Sequence, residues 1–205
     1  MDNASRINTA AGTMSTRDRI LHTAHDLFYR IGFHAVGLDA ILAAVGVTKT
    51  TFYNHFESKD QLVTEVLRWH DRWWQETFRQ MLRRHGGDAP LAQLRALPDA
   101  LYELFQRDDY NGCFFVNVAV QFPQPHDPAH QAAVMHKKSM EEIIRELAGY
   151  ANLRDPAALA VELSLLMEGA YVTQQVNRTA NTVAVARRLV NLLVDQHVPA
   201  TSKGL

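Results

Sequence analysis

Cysteine is almost missing from this 205-residue chain: Cys113 stands alone, so no intrachain disulfide framework is possible. No apolar run is long enough for a signal core or a membrane span, which with the lone thiol points to the cytoplasm. Net charge is close to absent, at -1. Over residues 1–60 six cations (Arg6, Arg17, Arg19, Arg30, Lys49, Lys59) face six anions (Asp2, Asp18, Asp26, Asp39, Glu57, Asp60), so no basic domain announces itself. A Gly-rich phosphate loop, a nucleophile elbow and paired carboxylates are also missing, and an enzyme is not supported. Among the ten histidines, His126 and His130 are four apart but straddle a helix start at Pro128 and lack a third ligand. Solvation explains them better than metal, and no metal or cofactor is expected. Cys113, next to Phe114 and Phe115, reads as a small buried hydrophobe.

What the chain does have is apolar residues, 47% of the total and enough for a full core, arranged with helical period. The most informative stretch is Leu38 to Phe56, LDAILAAVGVTKTTFYNHF. Ile41 and Val45 lie four apart on one helix, and Val47, Phe52 and Phe56 form the apolar side of a second, so the two can close on each other. Gly46 sits at the reversal, and Thr48 follows as an N-cap. Lys49, Thr50, Tyr53 and Asn54 fall away from Phe52 and Phe56, leaving a polar face that a DNA major groove can accept. Two helices joined by a short glycine-containing turn form a helix-turn-helix.

The order FxxxGF (Phe28 to Phe33) followed by GVTKTTFYNHFESKDQL (Gly46 to Leu62) resembles the TetR-type bacterial transcriptional regulators over about the first third of the chain. The pattern departs at Gly37, where the family usually has a Ser or Thr cap that touches phosphate; glycine still serves as an N-cap. The resemblance implies an all-α fold: an N-terminal three-helix helix-turn-helix domain and a C-terminal helical ligand-binding and dimerisation domain. By position it implies Lys49, Thr50, Tyr53 and Asn54 in the groove, with Thr48, His55 and Lys59 nearer to phosphates.

Taken in order, residues 1–14 read as a polar, disordered tail, where solvation explains Arg6 better than a minor-groove contact. Residues 15–57 form the DNA-binding domain, whose first helix starts at Ser15 or Thr16, carries His22 and His25 on its solvated side, and stops at Gly32. Residues 58–197 form the effector-binding and dimerisation domain, and 198–205 a frayed tail. Ser58 and Gln61 open a long helix to about Arg84, which links the two domains. Asp88 caps the next, which Pro98 kinks without dividing it. A short apolar helix spans Cys113 to Phe122. Asp127-Pro128 and Asp155-Pro156 start two more, and Thr182 opens the last, for about nine in all.

Trp73, Trp74, Phe78, Phe105, Phe114, Met140 and Tyr171, with polar Asn117, Gln121, His136 and Gln174, are candidates to line one effector cavity. Ordinary core packing explains such a stripe equally well. No acids gather near Trp73, so the expected effector is neutral or weakly polar. The last two helices are apolar on two faces, which calls for a twofold dimer through a four-helix bundle; Leu159, Leu163, Leu166, Val185, Leu189, Leu192 and Leu193 are the expected contacts. The function that follows is a ligand-responsive DNA-binding regulator, a repressor that holds a palindromic double-stranded operator as a homodimer until a small molecule releases it. Two alternatives stay open. One is a DNA-binding dimer answering to a protein partner or to nothing; the other is a helical ligand-binding or enzyme module with a vestigial DNA unit.

Overall fold

The computed structural model describes residues 14–178 and 181–199. The two expected tails lie outside that range except for Met14, Val198 and Pro199, and Arg6 lies outside it as well. The described residues form helices and no strand: α1 Thr16–Ile31, α2 Leu38–Val45, α3 Lys49–Tyr53, α4 Lys59–Gly86, α5 Pro90–Arg95, α6 Leu97–Phe105, α7 Phe114–Gln121, α8 Pro128–Tyr150, α9 Pro156–Asn177 and α10 Asn181–His197. They group into two compact units, one holding the chain up to Arg72 with Phe114–Ala133, the other Trp73–Cys113 with the chain from Val134 onward. This division differs from the one expected at residue 58. The first half of α4 joins the helix-turn-helix unit because its Leu62, Val63, Val66 and Leu67 are buried there. Segment 114–133 joins it too.

Among the described residues ten helices replace the expected nine or so, because the single kinked helix around Pro98 is in fact two. Ala96 ends α5 and begins α6. Proline has no N–H and tolerates the first turn of a helix but not its interior, so a break just ahead of Pro98 lets α6 start with that residue in its first turn. The start of α5 is shifted in the same way. Ala89, not Asp88, occupies the N-cap, with Pro90 opening the helix.

In the helix-turn-helix unit local signals set the helix ends. The Ser15 hydroxyl accepts the Asp18 N–H at 3.1 Å, and the Ser58 hydroxyl accepts the Gln61 N–H at the same distance. Gly32, at φ +105°, ends α1, and its N–H reaches the Phe28 carbonyl. Lys59 then donates from Nζ to the Phe33 carbonyl at 2.7 Å, pinning the chain after that turn. Gln121 of α7 accepts the Phe33 N–H through Oε1 at 2.8 Å. The expected solvation of His25 is corrected: it is 4% exposed, on the stripe that carries Leu21 and Phe28. Its ring nitrogens are satisfied by His70 Nδ1 at 2.8 Å and Asp26 Oδ1 at 3.0 Å, so the imidazole can be buried without an orphaned polar atom. His22 is half-buried against the Trp69 ring, and burial lowers its pKa despite the opposing pull of Asp18.

The second unit is organised by one apolar cluster that takes Phe78, Met81 and Leu82 from α4, Leu97, Leu101 and Phe105 from α6, Ile143 and Ile144 from α8, and much of α9 and α10. α9 packs on α10 and α6, and α10 also packs on α5 and α6. A bidentate pair, Arg187 Nη1 and Nη2 to the Asp99 carboxylate at 2.9 and 2.7 Å, ties α10 to α6.

Candidate DNA-binding face and the residues of the body

The helix-turn-helix is built from a buried side and a bare one. Gly46, at φ +76°, takes the left-handed conformation that ends α2, and its N–H closes on the Leu42 carbonyl at 2.9 Å. Thr48 caps α3, its hydroxyl accepting the Thr51 N–H at 3.1 Å and sharing a contact with the Thr51 hydroxyl at 2.9 Å. Phe52 has no exposed surface and stacks on Phe56, with Ile41, Leu42 and Val45 of α2 buried in the same unit. Burying Phe52 fixes the rotation of a helix only five residues long. Lys49, Thr50, Tyr53, Asn54 and His55 are left exposed, Tyr53 by 56%.

The cations of this unit are mostly engaged by the protein itself. Arg19 donates to the Val45 carbonyl at 2.6 Å, Arg30 donates to the Asp26 carbonyl at 3.2 Å, and Arg17 bridges to Glu65. The ammonium of Lys59 also lies 5.9 Å from the centre of the Phe28 ring, so its position is set from two sides. Lys49 lies on the exposed face, 3.0 Å from Asp39 Oδ1 of α2, and the hydrogen bond to that carboxylate raises its pKa.

Comparison with known proteins settles the class. A family model described as bacterial regulatory proteins of the tetR family matches residues 20–66, and one described as a tetracyclin repressor-like C-terminal domain matches residues 90–190. The chain belongs to the TetR family of DNA-binding transcriptional regulators. Its relatives include the HTH-type transcriptional regulator YjdC of Escherichia coli (strain K12), 26% identical over 173 residues that cover 84% of this chain and 90% of YjdC. The HTH-type transcriptional activator FasR of Mycolicibacterium smegmatis is 33% identical over 109 residues, which cover 53% of this chain and 49% of that one. Among solved structures, a TetR-family transcriptional regulator from Streptomyces coelicolor is 27% identical, with a TM-score of 0.79 over 90% of this chain and 96% of that one. A TetR regulator from Chloroflexus aurantiacus is 26% identical, with a TM-score of 0.77 over 89% and 96%. These proteins are regulators and not enzymes. Among the described residues of this TetR-family chain, no helix is long and apolar enough to cross a membrane.

The candidate effector residues are divided between the two units. Phe78, Phe105, Met140 and Tyr171 share the buried cluster of the second unit, with Trp74 packed against it and Trp73 beside Trp74. His136 is buried in that unit as well. Phe114, Asn117 and Gln121 belong instead to the helix-turn-helix unit. There the Phe114 ring lies 4.4 Å from His70 and 5.1 Å from His25, and Gln121 is committed to Phe33. Their apolar neighbours in sequence concealed this, since a short apolar helix does not reveal which unit it covers. On α9 two buried polar atoms, Ser164 Oγ and Gln174 Oε1, have no hydrogen-bond partner.

The expected dimer contacts also divide. Leu159 and Leu163 are fully buried in the protomer, where they pack in the cluster of the second unit, so they cannot reach a second copy. Leu166 and Leu193 are partly buried against that cluster and Val185 is half-buried, while Leu189 and Leu192 are exposed. The exposed apolar residues of α9 that periodicity alone did not separate are Val161, Leu165, Val172 and Val176.

Proposed function

We propose that this TetR-family regulator is a cytoplasmic, ligand-responsive repressor that holds a palindromic operator as a homodimer and releases it when a small molecule enters the body. The observation that carries the reading is the bare polar face of α3, held outward by the buried Phe52. On this reading Lys49, Thr50, Tyr53 and Asn54 enter the major groove. Lysine and asparagine supply donors for guanine and adenine edges, and the threonine methyl can meet a thymine methyl. His55 and the α3 N-terminus at Thr48 lie nearer to phosphate. Lys59, already bonded to the Phe33 carbonyl, acts by fixing the turn beneath the groove-facing helices.

The exposed apolar residues of α9 and α10, Leu165 and Leu192 above all, support a helical dimer interface, since an uncovered apolar face of this kind asks for a protein partner. The unpartnered Ser164 and Gln174 oxygens, on the helix that bears Tyr171, support a neutral effector with a hydrogen-bond donor. α4 is unbroken for 28 residues, about 42 Å at 1.5 Å per residue, and its residues belong to both units. Effector binding would shift the dimer between two arrangements through this helix, provided the compound binds one of them more tightly.

The test starts with duplexes selected from a random pool and read by fluorescence anisotropy. Lys49→Ala should weaken binding roughly tenfold, the scale of one good base contact, without lowering the melting temperature. A compound found by thermal shift should then release the duplex. Equal DNA affinity with and without that compound defeats the ligand response, and unchanged operator binding by Lys49→Ala defeats the assignment of the face.

A further inference from the structure

The end of α2 and α3 proposed to face DNA offers little loose positive charge for a nucleic-acid surface. Of the cations between residues 14 and 60, Arg17, Arg19, Arg30 and Lys59 each bond to a side chain or carbonyl of their own unit. Lys49 stands on the exposed face, and it faces Asp39 at 3.0 Å, with side chains 62% and 81% exposed respectively. An ion pair so fully in water contributes little to folding, so stability does not explain the placement of a carboxylate beside the groove-facing helix.

We propose that Asp39 is a specificity-determining residue: by partnering Lys49 it presents the ammonium to a base edge and withholds it from phosphate, which suppresses binding to DNA of arbitrary sequence. The inference rests on the reading that α3 faces DNA. An ammonium has three donors in a tetrahedral array, and one directed at Asp39 leaves two for the O6 and N7 acceptors of guanine. Those acceptors are uncharged and approach without repulsion from the carboxylate. A phosphate approaching the same ammonium meets a like charge within a few ångströms. Binding to arbitrary sequence consists almost wholly of phosphate contacts, so it bears most of this penalty, while a matched site recovers it through the base.

The experiment uses the full chain at low salt with two probes, a random-sequence duplex of about 30 base pairs and a duplex selected from a random pool. Asp39→Asn should tighten binding to the random duplex roughly three- to fivefold and steepen its dependence of log affinity on log salt by about one. The selected duplex should gain less, so the ratio of the two affinities falls. Asp39→Glu should restore the low affinity for random sequence, and adding Lys49→Ala to Asp39→Asn should remove most of the gain. If Lys49→Ala weakens the selected duplex but Asp39→Asn changes neither the random duplex nor its salt dependence, the inference is overturned while the reading of α3 stands. A gain that persists in full without Lys49 overturns it too. Unchanged binding of the selected duplex by Lys49→Ala removes the reading of α3, and this inference with it.

Discussion

α3 and α9 both leave one side uncovered, yet the two sides call for different partners. On α3 the bare side is polar, Lys49, Thr50, Tyr53 and Asn54, behind a completely buried Phe52. On α9 it is apolar, with Val161, Leu165, Val172 and Val176 opposite the buried stripe of Leu159, Leu163, Met167 and Tyr171. Burial of one face tells only how the helix is oriented. The chemistry of the other face tells what it is for: donors and a cation suit base edges and phosphates, whereas aliphatic side chains gain only by leaving water. A helix of five residues has no stability of its own, so the orientation of its bare face depends entirely on the core beneath it.

The largest expected effect comes from splitting the two sides of α9. Leu163→Ala should destabilise the second unit by about 2–5 kcal/mol, because it leaves a cavity at a position with no exposed surface. Leu165→Glu, at a position 71% exposed, should leave the helical content intact and convert the proposed dimer to monomer in sedimentation velocity. A Leu165→Glu protein that still sediments as a dimer would show that the apolar side of α9 is not the interface. One that loses its helicity would erase the contrast between the stripes.

The helix ends and the turn of the reading motif were legible in the sequence because their signals are local. Ser15, Thr48, Ser58 and the Asp155-Pro156 start act on backbone groups within a few residues, and each caps or opens a helix where expected. That α9 carries too many apolar positions for one stripe was also legible. Which of those positions turn inward was not, since leucine occurs both buried, at Leu159 and Leu163, and exposed, at Leu165, and only the packing of α10 and α6 decides. The contacts that assign α7 to the helix-turn-helix unit were out of reach for the same reason. Gln121 and His34 are 87 residues apart, and Gln121 and Phe33 are 88 apart. No propensity or spacing rule extends over such separations. One local signal was available: His25 lies four residues after Leu21 and three before Phe28, on the apolar stripe of α1.

A smaller effect probes how the bare face of α3 is supported from a distance. Gln121→Ala removes the acceptor for the Phe33 N–H in the turn between α1 and α2, at an expected loss of about 1–2 kcal/mol from a part-buried hydrogen bond. Hydrogen exchange at the Phe33 amide should speed up while the amides of α9 keep their protection. Unchanged exchange at Phe33 would mean that α7 covers the unit by apolar contact alone and that Gln121 is dispensable to the turn.

The smallest effect belongs to the polar pair of the apolar body. Hydrogen bonds from Arg187 hold the Asp99 carboxyl below its ordinary pKa, against the upward push of burial. A carboxyl depressed in the folded state adds stability that is complete above its unfolded pKa of about 4 and lost as pH falls through the lower folded value. Both side chains are more than a third exposed, so the contribution is expected to stay below about 1 kcal/mol. Asp99→Asn should therefore lower the urea midpoint slightly at pH 7, with the difference shrinking as pH falls below about 4 and gone once pH is below the depressed value at which the folded carboxyl takes up its proton. A difference that stays constant down to pH 2 would show that the bond between α6 and α10 owes nothing to charge.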